Sequence, residues 1–187
     1  WGFTDVMYDG SRLPLEENIA NTRRVVEAAH DAGAGVEAEL GHVGSGKDYA
    51  REAGQALTDP EEAVRFVAET GVDTLAVAVG TAHGLYDGEP KLALDLLAAI
   101  RDRLDVPLVL HGGSGLSDDQ YRAAISRGIA KINIFTNLAL EAGSRARAAA
   151  QNPKSSLHAL TATIREGFQV ECERLLDVFG TTGQASA

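Results

Sequence analysis

Val106-Pro107-Leu108-Val109-Leu110-His111-Gly112-Gly113-Ser114-Gly115 is the stretch on which the reading of the whole chain turns. It opens with a short apolar run, rich in Val and Leu and bounded by turn residues, and so predicts a buried strand rather than a helix. A glycine-rich turn follows. Ser117, with Gln120 three residues on, then has the form of a capping box and predicts a helix start. A strand that passes through a glycine turn into a helix N-terminus presents backbone N–H groups and a positive helix end, which suits an anion such as phosphate. His111 falls at the carboxyl end of the strand, where parallel sheets place their chemistry.

Composition narrows the classes of function. The chain has 187 residues, the size of one ordinary domain, and 44% of them are hydrophobic, enough for a core. With 17 Lys and Arg against 27 Asp and Glu, the formal net charge is −10. That balance, with no basic run, argues against nucleic acid or an anionic membrane as partner. No apolar segment reaches the roughly 18 residues that mark a membrane span. The single cysteine, Cys172, excludes an intrachain disulfide and a cysteine-based zinc cluster, and its helical surroundings predict a small packed residue. The expected compartment is the cytoplasm.

Outward from the opening stretch, strands and helices alternate. Trp1 to Asp9 reads as a strand, and a chain that opens in mid-strand implies that units precede it. Pro14-Leu15-Glu16-Glu17 starts a helix that Gly33 stops. Gly35 to Gly41 is a second strand. Gly41 to Leu57 is small, polar and flexible, and predicts a long mobile loop over a substrate. Asp59-Pro60-Glu61-Glu62 is a second helix start. Strands over Thr74–Gly80 and Ile129–Phe135 flank the opening one, with helices between. A helical segment to about Ala150 and a long amphipathic helix over Leu157–Phe179 complete the chain.

Nearly every strand is polar at its carboxyl end: Asp9, Glu39, His83, His111, Asn133. This favours an α/β fold of the (β/α)8 TIM-barrel type, which gathers all its strand ends at one mouth. A full barrel takes about 250 residues and eight strands. The prediction is therefore one domain, residues 1–187, comprising about the last five βα units of a barrel with C-terminal helices. Alone, such a piece has two open sheet edges and is expected to be poorly soluble unless other material covers the gap.

His83 and His111 follow successive strands, and each precedes a glycine. A catalytic zinc commonly has three protein ligands, of which these are candidates for two. The third is expected upstream of Trp1, with His42 as the alternative; His30 and His158 lie in helical patterns and read as structural. Asp9 and Glu39 could bind a second cation, orient a histidine or move protons. Glu37 shares a strand face with Glu39, which lies nearer the mouth and is the better site candidate. Two phosphate cradles are proposed: Gly112-Gly113-Ser114, and the turn from Asn133 to Thr136. Zinc beside phosphate suggests a phosphorylated ketone as substrate.

These residues resemble the class II, metal-dependent fructose-bisphosphate and tagatose-bisphosphate aldolase family. The resemblance runs nearly end to end, through Gly2-Phe3-Thr4-Asp5-Val6-Met7-Tyr8-Asp9-Gly10-Ser11, Val36-Glu37-Ala38-Glu39-Leu40-Gly41, Thr58-Asp59-Pro60-Glu61-Glu62-Ala63, Gly80-Thr81-Ala82-His83-Gly84, His111 to Gly115, and Lys131-Ile132-Asn133-Ile134. It implies reversible aldol cleavage of a ketose 1,6-bisphosphate to dihydroxyacetone phosphate and glyceraldehyde 3-phosphate. It assigns His83 and His111 to the catalytic Zn²⁺, and Asp9 and Glu39 to a second metal site. It gives dihydroxyacetone phosphate contacts to Gly84, Gly112, Gly113, Ser114, Asn133, Ile134, Phe135 and Thr136. It further implies a monovalent cation, Na⁺ or K⁺, near the phosphate, and a homodimer or homotetramer.

Three departures accompany it. The family's Asp-His pair, which supplies the proton donor and third zinc ligand, is not among the 187 residues. Gly46-Lys47 stands where many members carry a mobile-loop glutamate, so Asp48 and Glu52 become the candidates for proton transfer. Phe135 stands where many members have a polar residue. The alternatives are a catalytically impaired barrel that still binds metal and sugar phosphate, and a related metal-dependent lyase or epimerase on phosphosugars.

Overall fold

The computed structural model describes residues 2–49 and 57–185. Among these, five strands and six α-helices occur in the order β1 (Asp5–Tyr8), α1 (Leu15–Asp31), β2 (Gly35–Leu40), α2 (Pro60–Thr70), β3 (Thr74–Val77), α3 (Leu94–Arg101), β4 (Leu108–Leu110), α4 (Asp118–Ser126), β5 (Ile129–Ile132), α5 (Thr136–Ala150) and α6 (Leu157–Val178). The strands form one sheet in chain order, and each neighbouring pair is parallel. A helix between successive parallel strands is the connection that winds a barrel. The chain is a partial barrel, with β1 and β5 each bonded to a single strand neighbour among the described residues.

The helix starts follow their local chemistry. Asp59 caps α2 by accepting from the N–H groups of Glu61 and Glu62, Pro60 occupies the first turn, and Gly71 ends the helix at φ 71°. Ser117 and Gln120 form the capping box of α4. Along the strands the two faces separate with period two. Val36, Ala38, Leu40, Leu75, Val77, Leu108 and Leu110 pack outward against Ile19, Phe66, Leu97, Ile100 and Tyr121 of the helices. The other face carries Glu37, Glu39, Ala76, Val109 and Lys131 into the barrel interior. The register places Glu39 beside Ala76, Ala76 beside Val109, and Val109 beside Lys131.

The strands are shorter than the sequence suggests. β1 begins at Asp5, leaving Phe3 76% exposed; β3 stops at Val77, β4 begins at Leu108, and β5 stops at Ile132. Beyond those points side-chain and backbone bonds mix: Ala78 N–H donates to Thr58 Oγ1 at 2.8 Å, and Asn133 N–H donates to Leu110 O at 2.9 Å. The loop expected to be mobile from Gly41 is anchored in its first part. Ser45 bridges to His83, Gly46 N–H donates to His83 O at 2.8 Å, and His83 N–H donates to Gly44 O at 2.8 Å. Residues 50–56, with Glu52 among them, lie outside the described residues. Cys172 is exposed rather than packed, because α6 meets α5 along a narrow line through Gly167, where a Cβ would stand 2.6 Å from Ala142 Cα.

Candidate active site

The interior face of β2, β3 and β4 converges on one buried imidazole. His111 Nε2 lies 2.8 Å from Glu37 Oε1, and its Nδ1 lies 2.8 Å from Glu39 Oε2. Both carboxylates sit on β2 and reach across β3, which is possible because β3 presents alanine there. Lys131 Nζ, on β5, holds the second oxygen of Glu37 at 2.7 Å. Burial disfavours a charged His111, but the two carboxylates outweigh it and push its pKa up to about 9. Burial likewise opposes ionisation of Glu37, yet its hydrogen bonds from His111 and Lys131 keep it below the usual carboxylate range.

Glu39 is fixed from both ends. Its backbone carbonyl accepts from Asn18 Nδ2 at 3.1 Å, and Oε1 accepts from Val43 N–H at 3.2 Å. Its Oε2 is buried and, although close to His111 Nδ1, has no aligned hydrogen bond. His83 stands above, at the mouth. Its Nδ1 lies 3.1 Å from the Val43 carbonyl, so the tautomer that donates there leaves Nε2 with its lone pair free. The two imidazole centroids are 5.9 Å apart. Asp9 lies in a turn in which Ser11 N–H donates to Oδ1 at 3.0 Å. Burial opposes its ionisation, but the Ser11 bonds and the charges of His42 and His111 draw its pKa down.

The donors suit a divalent metal. A zinc 2.0–2.1 Å from each nitrogen sets two imidazole centroids roughly 5–6 Å apart. The unaligned Glu39 Oε2 is a ready oxygen neighbour, and an ion at His111 would replace a proton on its ring. Among the described residues no three His, Cys, Asp or Glu side chains form a complete site. His83 and His111 thus supply two donors of a set. His42 is turned elsewhere, its Nδ1 3.1 Å from Ser11 Oγ.

The glycine turn is built against α5. Ser114 Oγ accepts from Thr136 N–H at 3.0 Å and Asn137 N–H at 3.4 Å, capping a helix whose own N-cap residue, Phe135, supplies no side-chain bond. Gly113 O accepts from Tyr121 Oη at 2.6 Å. A cavity of about 480 Å³ brings together Asp9, Glu39, His83, Gly84, His111, Gly112, Ser114, Asn133, Ile134, Phe135 and Thr136, with Met7 at its side. Gly113 lies behind this lining, where a Cβ would meet Ile132 Cγ2 at 2.7 Å. Asp48, on a short 3-10 turn over Gly46–Asp48, is not among the lining residues. Phe135 is 69% exposed, with its ring 6.5 Å from that of Phe168.

The sequence profile of the family Fructose-bisphosphate aldolase class-II matches residues 1–184. The chain belongs to this family. Over 185 residues it is 42% identical to YdjI of Escherichia coli K12, covering 98% of this chain and 66% of that protein. It is 52% identical over 139 residues to the D-tagatose-1,6-bisphosphate aldolase subunit GatY of Klebsiella oxytoca, covering 73% of this chain and 49% of that one. The crystal structure of the YdjI aldolase superposes with a TM-score of 0.85 at 39% identity, covering 99% of this chain and 64% of that one. The chain thus spans from about half to just under two thirds of the length of these relatives.

One partner in this chain, Lys131, was not singled out from sequence as a site residue. Lys131 reads as one polar residue in an apolar strand, though a lysine facing a barrel interior signals a carboxylate opposite. Glu37 was ranked behind Glu39, yet it is Glu37 that links Lys131 to His111.

Proposed function

We propose that this chain carries the metal and phosphate sites of a ketose-bisphosphate aldolase, which cleaves fructose 1,6-bisphosphate or tagatose 1,6-bisphosphate to dihydroxyacetone phosphate and glyceraldehyde 3-phosphate. One observation carries the reading: the His83–His111 pair and the Ser114-capped glycine turn line the same cavity. His83 and His111 would hold Zn²⁺, with Asp9 and Glu39 at a second metal position and Na⁺ or K⁺ near the phosphate. Bound zinc supplies a Lewis acid that polarises the ketose carbonyl. Glu37 fixes the His111 ring, and Ser114, its lone pairs engaged by α5, keeps its own proton to donate to a phosphoryl oxygen. Gly84, Gly112 and residues 133–136 shape the cradle. A homodimer or homotetramer in the cytoplasm fits this reading.

The test is cleavage of both bisphosphates by the purified protein, before and after chelation and with Zn²⁺ restored. Activity lost to chelator and recovered with Zn²⁺ is expected. Turnover that survives chelation and is trapped by borohydride as a lysine Schiff base would sink the proposal. A second reading, in which metal and sugar phosphate bind without catalysis, is favoured by the position of Asp48 outside the cavity lining. Dihydroxyacetone phosphate that binds without exchanging its hydroxymethyl protons would select it.

A further inference from the structure

Tyr86 occupies an unusual place between the two histidine turns. Its hydroxyl accepts from Ala82 N–H at 2.9 Å and donates to Gly112 O at 2.7 Å. Ala82 immediately precedes His83, and Gly112 immediately follows His111. One oxygen therefore spans the loops after β3 and β4 at the backbone positions next to both imidazoles. The loops are otherwise in bare backbone contact: a Cβ at Gly112 would stand 2.4 Å from Ala82 O. The Tyr86 ring is itself held. Tyr49 meets it edge-on, with centroids 4.9 Å apart and planes at 86°, and a Cβ at Gly115 would approach its Cδ2 to 3.0 Å.

We propose that Tyr86 is a positioning residue for the imidazole pair: its hydroxyl clamps the turn carrying His83 to the turn carrying His111 and fixes the separation of the two rings. The proposal rests on the metal-holding role given above to His83 and His111. The physical reason is specific to a hydroxyl, which donates and accepts at once and so ties an N–H of one loop to a C=O of the other. Burial pushes the Tyr86 phenol up to about 12, so it stays protonated and keeps donating. Without the bridge, the apposed loops would lose the tie between Ala82 N–H and Gly112 O, and each histidine would follow its own turn.

A tyrosine three residues from His83 could instead merely stabilise its loop. Tyr49 provides the comparison. Its hydroxyl makes the same two kinds of bond, donating to Gly80 O at 3.1 Å and accepting from Lys91 N–H at 2.7 Å, but joins neither histidine turn to the other. The experiment compares Tyr86→Phe with Tyr49→Phe in the full chain. It measures Zn²⁺ affinity by chelator competition and, in the metal-free protein, the nuclear Overhauser contact between the His83 and His111 rings.

Tyr86→Phe is expected to weaken Zn²⁺ binding by about tenfold or more, the size of effect that supporting groups have on metal ligands, and to lose the inter-ring contact. Tyr49→Phe is expected to keep both. Equal losses in the two variants, or an intact ring contact in Tyr86→Phe, would overturn the proposal. If the parent protein bound no Zn²⁺ but Tyr86→Phe alone lost the ring contact, the clamp would stand and the metal reading would fall.

Discussion

Glu37 holds His111 at 2.8 Å from two strands away, across the alanine surface of β3. In the metal-free protein this contact makes stability depend on pH in a stated direction. His111 has its pKa raised from 6.5 to about 9, so its contribution is full below 6.5 and is lost as the pH rises through 9. A shift of that size corresponds to on the order of 3 kcal/mol. Glu37, drawn below its ordinary 4.5, contributes above that value and loses its contribution as the pH falls further. The two share the Glu37–His111 contact, which is counted once, while Glu39 adds to the first and Lys131 to the second. Chemical denaturation should therefore show a plateau between 4.5 and 6.5 and an alkaline decline. Glu37→Gln should flatten that decline by ~1 kcal/mol or more, since a hydrogen bond to a charged partner becomes a neutral one. An alkaline limb unchanged in the variant would mean that Glu37 does not set the shift.

Ala76 is the second test. It is fully buried, and the register sets it between Glu39 and Val109 on the interior face. A leucine there would fill the path by which both carboxylates reach His111. Ala76→Leu is expected to cost about 1–3 kcal/mol as overpacking. It should also bring the His111 pKa back toward 6.5, measured by NMR titration of the ring in the metal-free protein. A variant with both stability and the His111 titration unaltered would show that β3 leaves more room than its alanine implies.

Such relationships mark the limit of what sequence could give. The alternation of strands and helices was legible because capping signals are local: Asp59-Pro60 and Ser117 with Gln120 announce their helices within four residues. That His83, His111, Asp9 and Glu39 gather at one cavity was legible because strand ends in a parallel barrel share a mouth. Lys131 to Glu37, and Tyr86 to Gly112, were not, because their partners lie 94 and 26 residues away and only the register of the folded sheet pairs them. One feature of the loop after Gly41 was hidden for the same reason. Its small polar residues carry no local sign that the backbone at Gly44 and Gly46 bonds to the His83 turn.

Glycines in the histidine turns separate conformational strain from crowding. Gly84 has φ 91° with nothing within 4 Å of a built Cβ, whereas Gly112 has φ 66° and a Cβ that would strike the Ala82 backbone at 2.4 Å. Gly84→Ala should cost about 1 kcal/mol, the strain of a left-handed backbone alone. Gly112→Ala should cost roughly 3 kcal/mol or more, because the strain is joined by a clash that no side-chain rotation relieves. Thermal unfolding of the two variants gives the comparison. Equal destabilisation would mean that the turns after β3 and β4 are less closely apposed than the geometry indicates.

Ser114 joins the glycine turn to the end of α5, and its loss should be felt twice. Ser114→Ala removes the only side chain seen accepting from the Thr136 and Asn137 N–H groups, among the described residues. Loss of a helix N-cap costs ~1 kcal/mol. The same change removes the hydroxyl of a cavity-lining residue, so on the proposed phosphate role phosphate affinity should fall along with stability. Ser114→Thr keeps the oxygen and should recover the helix cap. Calorimetric titration with dihydroxyacetone phosphate, paired with denaturation of both variants, separates the two effects. Binding unchanged in Ser114→Ala while stability falls would leave Ser114 a capping residue only, and would move the phosphate contact to the backbone of the turn.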